Sequence, residues 1–246
     1  MVVLNAASII SGPEKTSAWG QTFTLDLGTP DSTLAISRDN RLPRTAVVVT
    51  LAARELMRLS KEGEKVEHIL VVGTEVDPTM HPGFREISEN LRALRQKWFP
   101  RAKLVLISNA PTIDSAEVRI ALGVYDKPVI RFEHGTTKTF AKMTGRKSTE
   151  LGEMTRFLST LERLIVRACF VRGEKDSDNS TENEVKGWIK RLGDLTPKEV
   201  QIFSPDPKKR VGPRGITKTR MNEIMEQLAE KVSAPVKVLE SRDLED

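Results

Sequence analysis

Residues 68–73, with the sequence HILVVG, decide the fold class of this 246-residue chain. Four apolar residues follow the histidine without a break, and a glycine ends the run. A strand that is apolar on both faces is typical of a parallel sheet covered by helices. Residues 83–98 then place apolar side chains at helical spacing, and Pro100 predicts the end of that helix. A buried strand followed by an amphipathic helix predicts an α/β fold.

The same alternation of short apolar runs and longer helical patterns extends along the chain. Strands are predicted at 23–27, 68–72, 103–107, 128–132, 163–171, 200–203 and 236–239. Helices are predicted at 45–59, 83–98, 111–122, 136–143, 150–161, 182–192 and 217–232. This order predicts parallel strands with outer helices, arranged as a partial or complete barrel or as a doubly wound open sheet. In both architectures ligands bind at the carboxyl ends of the strands.

The composition is that of an ordinary globular protein. Hydrophobic residues make up 38% of the chain and charged residues 30%. No apolar run reaches the roughly 18 residues of a membrane-spanning helix, and the sequence does not begin with a clear signal peptide. We therefore expect a cytoplasmic protein without membrane contact, folded as a single domain over 1–240 and followed by an acidic tail at 241–246.

The chain has one cysteine, Cys169, and a formal net charge of +5. A lone cysteine excludes an internal disulfide framework and a cysteine-rich zinc site. The positive charge permits contact with an anionic partner such as RNA, and it fits equally a solvated surface that is slightly rich in lysine and arginine.

Four blocks of sequence follow or flank the predicted strand ends. They are GTEVDPTMHP at 73–82, TTKTFAKMTG at 136–145, FVRG at 170–173 with DNSTENE at 178–184, and VQIFSPD at 200–206. In order and spacing they resemble radical S-adenosylmethionine (SAM) enzymes, in particular the branch with tRNA wyosine-synthesis enzymes and related archaeal proteins. The resemblance extends from about residue 66 to residue 240. It implies a partial (β/α)6-type barrel of the radical SAM kind, with parallel strands and outer helices.

The resemblance also implies which side chains contact a cofactor or substrate. In the family, the loop that matches 73–82 helps to hold the amino group of the methionine moiety, and Asp77 stands where glutamate is usual. Cofactor contacts at the predicted strand ends are implied for Glu75, Asp77, Asn109, Glu133, Gln201 and Ser204.

The chain departs from the family at its front. The family binds a four-iron, four-sulfur cluster through Cys-x3-Cys-x2-Cys, because the irons require anionic sulfur donors. The matching loop, residues 28–38, contains no cysteine, and serine or threonine hydroxyls stay protonated near neutral pH. Cys169 lies in an apolar strand and is expected to be a packed thiol. We therefore expect no cofactor, although binding of S-adenosylmethionine in the remaining pocket stays open.

These observations predict a catalytically degenerate protein, a pseudoenzyme, that acts by binding. It is expected to be a non-catalytic subunit of a larger complex or a factor associated with RNA or a ribonucleoprotein. Clustered cations after the strand at 200–203 are the predicted contacts with a phosphate backbone: Lys208, Lys209, Arg210 and Arg214. The alternative for this segment is an exposed loop without a ligand.

Two other functions remain open. One is an enzyme that uses either S-adenosylmethionine without a cluster or a metal ion. The metal would be held by a carboxylate and imidazole set suited to zinc or non-heme iron, namely Glu75, Asp77, His81, Glu133 and His134. The other is a purely structural role in a larger assembly.

Overall fold

The structure, a computed structural model, describes residues 9–29, 42–173, 177–208 and 214–240. The chain divides into two compact units, one that extends to Val129 and one that begins at Ile130. The single domain over 1–240 stays a prediction, and the tail at 241–246 lies outside the described residues. None of the helices in the described ranges combines the length and the apolar character that a bilayer crossing needs.

The elements of the first unit are β1 (Ile10–Thr16), β2 (Gly20–Asp26), α1 (Thr45–Lys61), β3 (His68–Val72), a 3₁₀ turn (Pro78–Met80), α2 (Phe84–Trp98), β4 (Lys103–Ser108) and α3 (Ala116–Leu122). The strands β1 and β2 are antiparallel, whereas β2, β3 and β4 are parallel neighbours. The next strand, β5 (Lys127–Arg131), begins in this unit and ends in the second.

The elements of the second unit are α4 (Thr137–Thr144), α5 (Glu150–Leu158), β6 (Ile165–Cys169), β7 (Val171–Arg172), α6 (Glu182–Leu195), β8 (Glu199–Phe203), β9 (Arg214–Gly215), α7 (Lys218–Lys231) and β10 (Val236–Val238). The strand β8 pairs in parallel with both β6 and β10. The short strands β7 and β9 form a separate antiparallel pair.

The strand order identifies the architecture. The main sheet has the order β1-β2-β3-β4-β5-β6-β8-β10, so its parallel strands follow one another in chain order. A doubly wound sheet requires a point where the strand order reverses, and the described strands contain no such point. The α/β class with parallel strands is therefore confirmed, and the doubly wound alternative is excluded.

In the first unit, the central parallel strands are buried on both faces, because consecutive residues of β3 and of β4 are buried. Phe23 and Leu25 of β2 are fully buried, as are Ile69 and Val71 of β3. The helices α1 and α2 pack against each other and bury the apolar stripes that their sequences predict. Removal of these side chains from water is the main driving force for folding of this unit, and it places the polar strand ends at one edge.

The core of the second unit is organised around Trp188 of α6. Its ring packs edge-on against Phe170, with the ring centroids 5.2 Å apart. Its indole N–H donates a hydrogen bond of 2.7 Å to the carbonyl of Phe132, the residue that follows β5. A buried indole N–H needs such a partner, so Trp188 fixes the start of the loop after β5 to α6.

Two predicted elements differ from the observed ones by more than a shift of their ends by up to three residues. The helix predicted at 111–122 begins at Ala116, because residues 111–115 form turns in which the Ser115 N–H donates to the Thr112 carbonyl. The strand predicted at 163–171 is divided into β6 and β7, because the chain leaves β8 after Phe170 and pairs with β9 at Val171.

Two strands were not predicted. The strand β1 has no period-two alternation of apolar residues, and pairing with β2 alone makes it a strand. The strand β9 has only two residues, too few for any sequence pattern, and it lies in the segment predicted as a basic loop.

Candidate functional site

Asp77, in the loop after β3, holds that loop to the end of β4. Its carboxylate accepts hydrogen bonds from the Ser108 hydroxyl at 2.8 Å and from the Asn109 backbone N–H at 2.6 Å. It also accepts from the N–H of Thr79 at 2.9 Å and from its hydroxyl at 2.6 Å, which caps the 3₁₀ turn. Both carboxylate oxygens of Asp77 are therefore engaged by this chain.

The loops after β2 and β3 meet backbone to backbone. A Cβ atom on Gly28 would lie 1.9 Å from the carbonyl oxygen of Val76, and one on Gly73 would lie 2.0 Å from the same oxygen. The Val76 N–H donates to the Gly28 carbonyl at 3.2 Å. Glycine is required at both positions because no side chain fits there. Residues 30–38 of the loop that matches the family's cluster loop lie outside the described residues.

Asp26, at the end of β2, is a buried carboxylate that the sequence analysis missed. It accepts hydrogen bonds from the N–H of Gly28 at 2.9 Å and the N–H of Thr74 at 3.0 Å. The hydroxyls of Thr29, at 2.5 Å, and of Thr74 also donate to it. The sequence signal for this site was an acidic residue at a strand end, two positions before a glycine. The alternation of apolar and polar residues in this strand instead predicted that Asp26 faces solvent.

Glu75 and Asn109 flank Asp77 and present free side chains. Both residues are exposed. Neither side chain has a hydrogen-bond or ion-pair partner within the part of the chain that the structure describes. Three of the predicted contact residues lie in the first unit. Glu75 and Asn109 have side chains available to a ligand, whereas Asp77 holds together the two loops that carry them.

His81 is a buried residue of the loop after β3. Its Nε2 donates to the Pro43 carbonyl at 2.7 Å, and its Nδ1 accepts from the Gly83 N–H at 3.0 Å. Burial lowers the pKa of His81, and the hydrogen bond to Pro43 opposes this change. Both ring nitrogens are used, so the ring joins the start of α2 to the segment before α1.

Glu133, the second residue after β5, is a buried carboxylate of the second unit. It accepts from the Cys169 N–H at 2.7 Å and from Arg131 Nη2 at 2.9 Å. Burial raises its pKa, and the charge of Arg131 opposes the rise. Asn179 donates to the carbonyls of Glu133, at 3.1 Å, and Cys169, at 2.8 Å, and it accepts from the Val171 N–H. Glu133 and Asn179 together hold the loop after β5 against β6.

Cys169 alone does not fit the iron–sulfur cluster that the sequence resemblance implies. It is the last residue of β6 and is 8% exposed, and its backbone is paired with β8 and bonded to Glu133. The cluster needs three thiolates close together, and the chain contains one cysteine. The described front residues of the matching loop, Gly28 and Thr29, carry no thiol.

Gln201 lies in the middle of β8 and is buried. Its carbonyl oxygen accepts from Arg167 Nε of β6 at 2.8 Å, and its amide nitrogen donates to Glu199 at 2.7 Å. Arg167 and Gln201 are register partners on adjacent parallel strands. The side chain therefore links the buried Arg167 to the half-buried Glu199 along one face of the sheet.

Ser204 joins three segments just beyond β8. Its hydroxyl donates to the Phe170 carbonyl at 2.8 Å and accepts from the Ile216 N–H at 2.8 Å. This hydroxyl therefore ties the end of β6 to the residues between β9 and α7. Ser204 thereby positions the β7–β9 pair.

Glu184, in the first turn of α6, forms a buried network that the sequence analysis did not single out. Its carboxylate accepts from the N–H groups of Gly135 and Thr136, at 2.9 and 3.1 Å, and from the Thr139 hydroxyl at 2.8 Å. Gly135 has no room for a side chain, because a Cβ atom would lie 2.0 Å from the Glu184 carbonyl oxygen. The carboxylate thereby stabilises the N-terminus of α4.

His134 lies beside this network and is 7% exposed. Its ring contacts Phe140 edge-on at 5.3 Å, and its Nδ1 has no hydrogen-bond partner among the residues that the structure describes. Burial lowers the pKa of His134 to about 4, and Glu184 opposes the shift. The ring is therefore neutral at physiological pH.

The described residues form no metal site of the predicted kind. In residues 9–29, 42–173, 177–208 and 214–240, no three His, Cys, Asp or Glu side chains come together as ligands. Of the proposed ligands, the three in the first unit, Glu75, Asp77 and His81, are therefore not assembled as a metal site. His81 and Asp77 instead make the internal hydrogen bonds described above.

The predicted basic contacts lie only partly within the described ranges. Lys208 and Arg214 are exposed, whereas Lys209 and Arg210 lie outside the described residues. The structure adds Arg172, which β7 places directly opposite Arg214 of β9. These three cations, Arg172, Lys208 and Arg214, are called the basic rim below.

The fold is similar to those of solved radical SAM proteins. TYW1 with a lysine-pyruvate adduct bound is 12% identical, with a TM-score of 0.58, over 90% of this chain and 78% of that protein. A radical SAM methyltransferase from Sphaerobacter thermophilus is 13% identical, with a TM-score of 0.60, over 89% of this chain and 65% of that protein. No protein-family model and no curated protein matches the sequence.

A third similar structure is a domain of the pyruvate-formate lyase-activating enzyme from Bacteroides vulgatus ATCC 8482. It is 12% identical, with a TM-score of 0.53, and the match covers 70% of this chain and 98% of that domain. The predicted α/β fold of the radical SAM kind is thereby confirmed. At these identities the likeness establishes the fold alone.

Proposed function

We propose that this protein has kept the radical SAM fold without its cluster and acts by binding, as a non-catalytic subunit or a factor associated with RNA. The observation that carries the proposal is the single cysteine, buried at the end of β6. Three thiolates are the minimum that the family's cluster chemistry requires, and hydroxyl groups cannot replace them near neutral pH.

The polar residues at the strand ends support a binding role because most of them hold the loops of this chain in place. Four of the six residues predicted to contact a cofactor make hydrogen bonds within this chain: Asp77, Glu133, Gln201 and Ser204. Carboxylates and amides with several internal partners hold loops rigidly. A rigid surface can present a binding face without taking part in chemistry.

RNA is the partner that the charge favours. The chain has a net charge of +5, and the basic rim lies beyond the ends of β6 and β8. Contacts between clustered cations and phosphates release counterions, and they weaken steeply as salt increases. The residues that we expect to contact RNA are Lys208, Lys209, Arg210 and Arg214.

Anaerobic reconstitution with iron and sulfide tests the loss of the cluster. We expect no stoichiometric iron and no visible charge-transfer absorbance in the purified monomer, with the same result for Cys169→Ser. A radical SAM enzyme with all three cysteines, treated in parallel, is the positive control. A four-iron cluster bound to the native monomer would overturn the proposal.

Titration with an RNA oligonucleotide at several salt concentrations tests the partner. We expect the triple change of Lys208, Lys209 and Arg210 to glutamate to weaken binding and to reduce its salt dependence. The matched control changes Arg92, Lys97 and Arg101, which are exposed in or beside α2, to glutamate. No RNA affinity, or equal losses in both triple variants, would contradict a role of these residues.

The alternative is an enzyme that binds S-adenosylmethionine without a cluster. The observation that favours it is the pair of free side chains, Glu75 and Asn109, beside the rigid Asp77. Calorimetry with S-adenosylmethionine distinguishes the two proposals. Tight binding that Glu75→Gln and Asn109→Ala abolish would support the enzyme, whereas absence of binding supports the non-catalytic role.

A further inference from the structure

The antiparallel pair β7–β9 places two arginines on adjacent strands. Arg172 is the register partner of Arg214, and Val171 is that of Gly215. Side chains of directly opposed residues in an antiparallel pair project on the same side, with their Cα atoms about 5 Å apart. Both arginines are exposed. No acidic side chain of the described residues forms an ion pair with either of them.

Arg220, a cation of the same unit, has acidic partners. Arg220, in the first turn of α7, forms ion pairs with Glu182 at 3.3 Å and Glu223 at 2.7 Å. Its Nε also donates to the Ser180 carbonyl. The two arginines of the β7–β9 pair thus differ from the neutralised cations of the same unit.

Two like charges directly opposite each other destabilise a strand pair, so other contacts must keep this pair together. The Ser204 hydroxyl supplies one such contact, to Phe170 and Ile216 on either side of the pair. The Gly215 N–H supplies another, with 3.3 Å to the Asp206 carbonyl.

The backbone of β9 also packs closely against a neighbouring segment. A Cβ atom on Gly215 would lie 1.6 Å from the Pro205 carbonyl oxygen, so the backbone of β9 lies directly on the segment after β8. On the other strand, the Val171 N–H donates to the buried Asn179 side chain at 2.8 Å. The frame therefore holds two positive charges side by side against their repulsion.

We infer that Arg172 and Arg214 form a binding site for a phosphate group. Two guanidinium groups carry two positive charges, and a phosphomonoester carries about −1.5 to −2 at neutral pH. The planar guanidinium forms paired hydrogen bonds to phosphate oxygens, which a lysine cannot do. The N-terminus of α7, a 14-residue helix, begins three residues after Gly215 and has no acidic residue in its first turn. Its dipole adds to the attraction of an anion.

This inference rests on the proposed function for the RNA-binding role of the basic rim. It adds that the group bound there is a terminal phosphate. Such a group occurs on the 5′ end of an RNA and on a free nucleotide. The charge match favours a phosphomonoester dianion over a backbone diester, which carries one negative charge. The two sources share one chemistry, and the experiment distinguishes them.

The experiment measures the affinity for inorganic phosphate by calorimetry, at constant ionic strength set with chloride. The variants are Arg172→Gln, Arg214→Gln and the double variant, with Lys190→Gln as the control for loss of an exposed charge. We expect the double variant to bind phosphate about tenfold more weakly or worse, and the control to bind as the native protein does. Lysine at both positions should give an intermediate affinity, because it keeps the charge and loses the paired geometry.

Two further measurements distinguish phosphate binding at the arginine pair from a general effect of added salt. Without phosphate and at low salt, Arg172→Gln should raise the Tm because the repulsion is relieved, and added phosphate should raise the Tm of the native protein more than that of this variant. A 5′-phosphorylated RNA oligonucleotide, its 5′-hydroxyl form and adenosine monophosphate identify the source of the phosphate. Absence of phosphate binding by the native protein, or equal binding by the double variant, overturns the inference.

The two proposals fail in different ways. If RNA binding depends on Lys208, Lys209 and Arg210 but phosphate does not bind the arginine pair, the inference about the pair is wrong and the RNA proposal stands. If the pair binds phosphate and no RNA binds, the RNA proposal is wrong and the phosphate site stands.

Discussion

Acid should destabilise this protein measurably through His134. The side chain is 7% exposed, and its ring lies edge-on to Phe140. Within the described part of the chain, its Nδ1 has no hydrogen-bond partner. Burial lowers its pKa from 6.5 to about 4, with contributions of the same sign from Arg131 and Arg146. Glu184 acts in the opposite direction but does not restore the ordinary pKa. The folded protein therefore holds a neutral ring where the unfolded chain binds a proton.

The size of the effect follows from the two pKa values. The difference of about 2.5 units, at about 1.36 kcal/mol per unit, corresponds to roughly 3 kcal/mol. Because the pKa in the folded state lies below that of the unfolded chain, this contribution to stability is complete above about pH 6.5. It is lost progressively as the pH falls from there toward about pH 4, and it does not change further below that pH.

The assay is urea unfolding of the native protein and of His134→Phe across this pH range. The other two histidines, His68 and His81, also have lowered pKa values, and the buried Glu133 has a raised one. These groups are present in both proteins and cancel in the difference between their free energies of unfolding. We expect the native protein to lose about 3 kcal/mol more than the variant between neutral pH and about pH 4.

The quantity to compare is the change in the free energy of unfolding with pH. The substitution by phenylalanine also changes this free energy, but by an amount that does not depend on pH. His134→Leu provides a second apolar replacement of different shape and should reproduce the flattened slope. Parallel curves for the native protein and both variants would refute the explanation that burial of this ring controls the response to acid.

Three further predictions concern the frame of the strand ends, each measured by the urea concentration at half unfolding. Gly28→Ala should cost about 1–3 kcal/mol, since its Cβ would lie 1.9 Å from a backbone oxygen; an unchanged midpoint would contradict the close approach. Asp77→Ala should cost about 2 kcal/mol because it leaves several donors without an acceptor, whereas the exposed Glu75→Ala should change little. Glu184→Gln should cost about 2 kcal/mol and Glu182→Gln much less, since the first is buried and the second exposed; equal costs would disprove the capping role.

The sequence predicted the elements that have strong local patterns. The bounds of β3 were predicted exactly as observed at 68–72, because a run of apolar residues closed by a glycine needs no information from elsewhere. The helix α2 began one residue later than predicted and ended at the same residue, since its apolar stripe and Pro100 are local signals. The strands β1 and β9 were missed because neither has an apolar alternation of its own, and only pairing with β2 and β7 makes them strands.

The sequence also determined that the chain has one cysteine, because a count of cysteines is independent of the fold. It identified Asp77, Glu133 and Ser204 at strand ends but could not tell whether their oxygens face a ligand or their own chain. That depends on partners such as Ser108, Cys169 and Ile216, which lie 12–36 residues away and reach them only when the sheet forms.

The tertiary structure alone decided which charges are paired. Arg172 and Arg214 are separated by 42 positions in the sequence, and the register of the β7–β9 pair makes them neighbours. Glu184 lies 48 positions from Thr136 and is nonetheless bonded to it. Periodicity depends on neighbours along the chain, whereas electrostatic and hydrogen-bond partners depend on distance in space, so the sequence determined the strands and helices and the fold determined the chemistry of their ends.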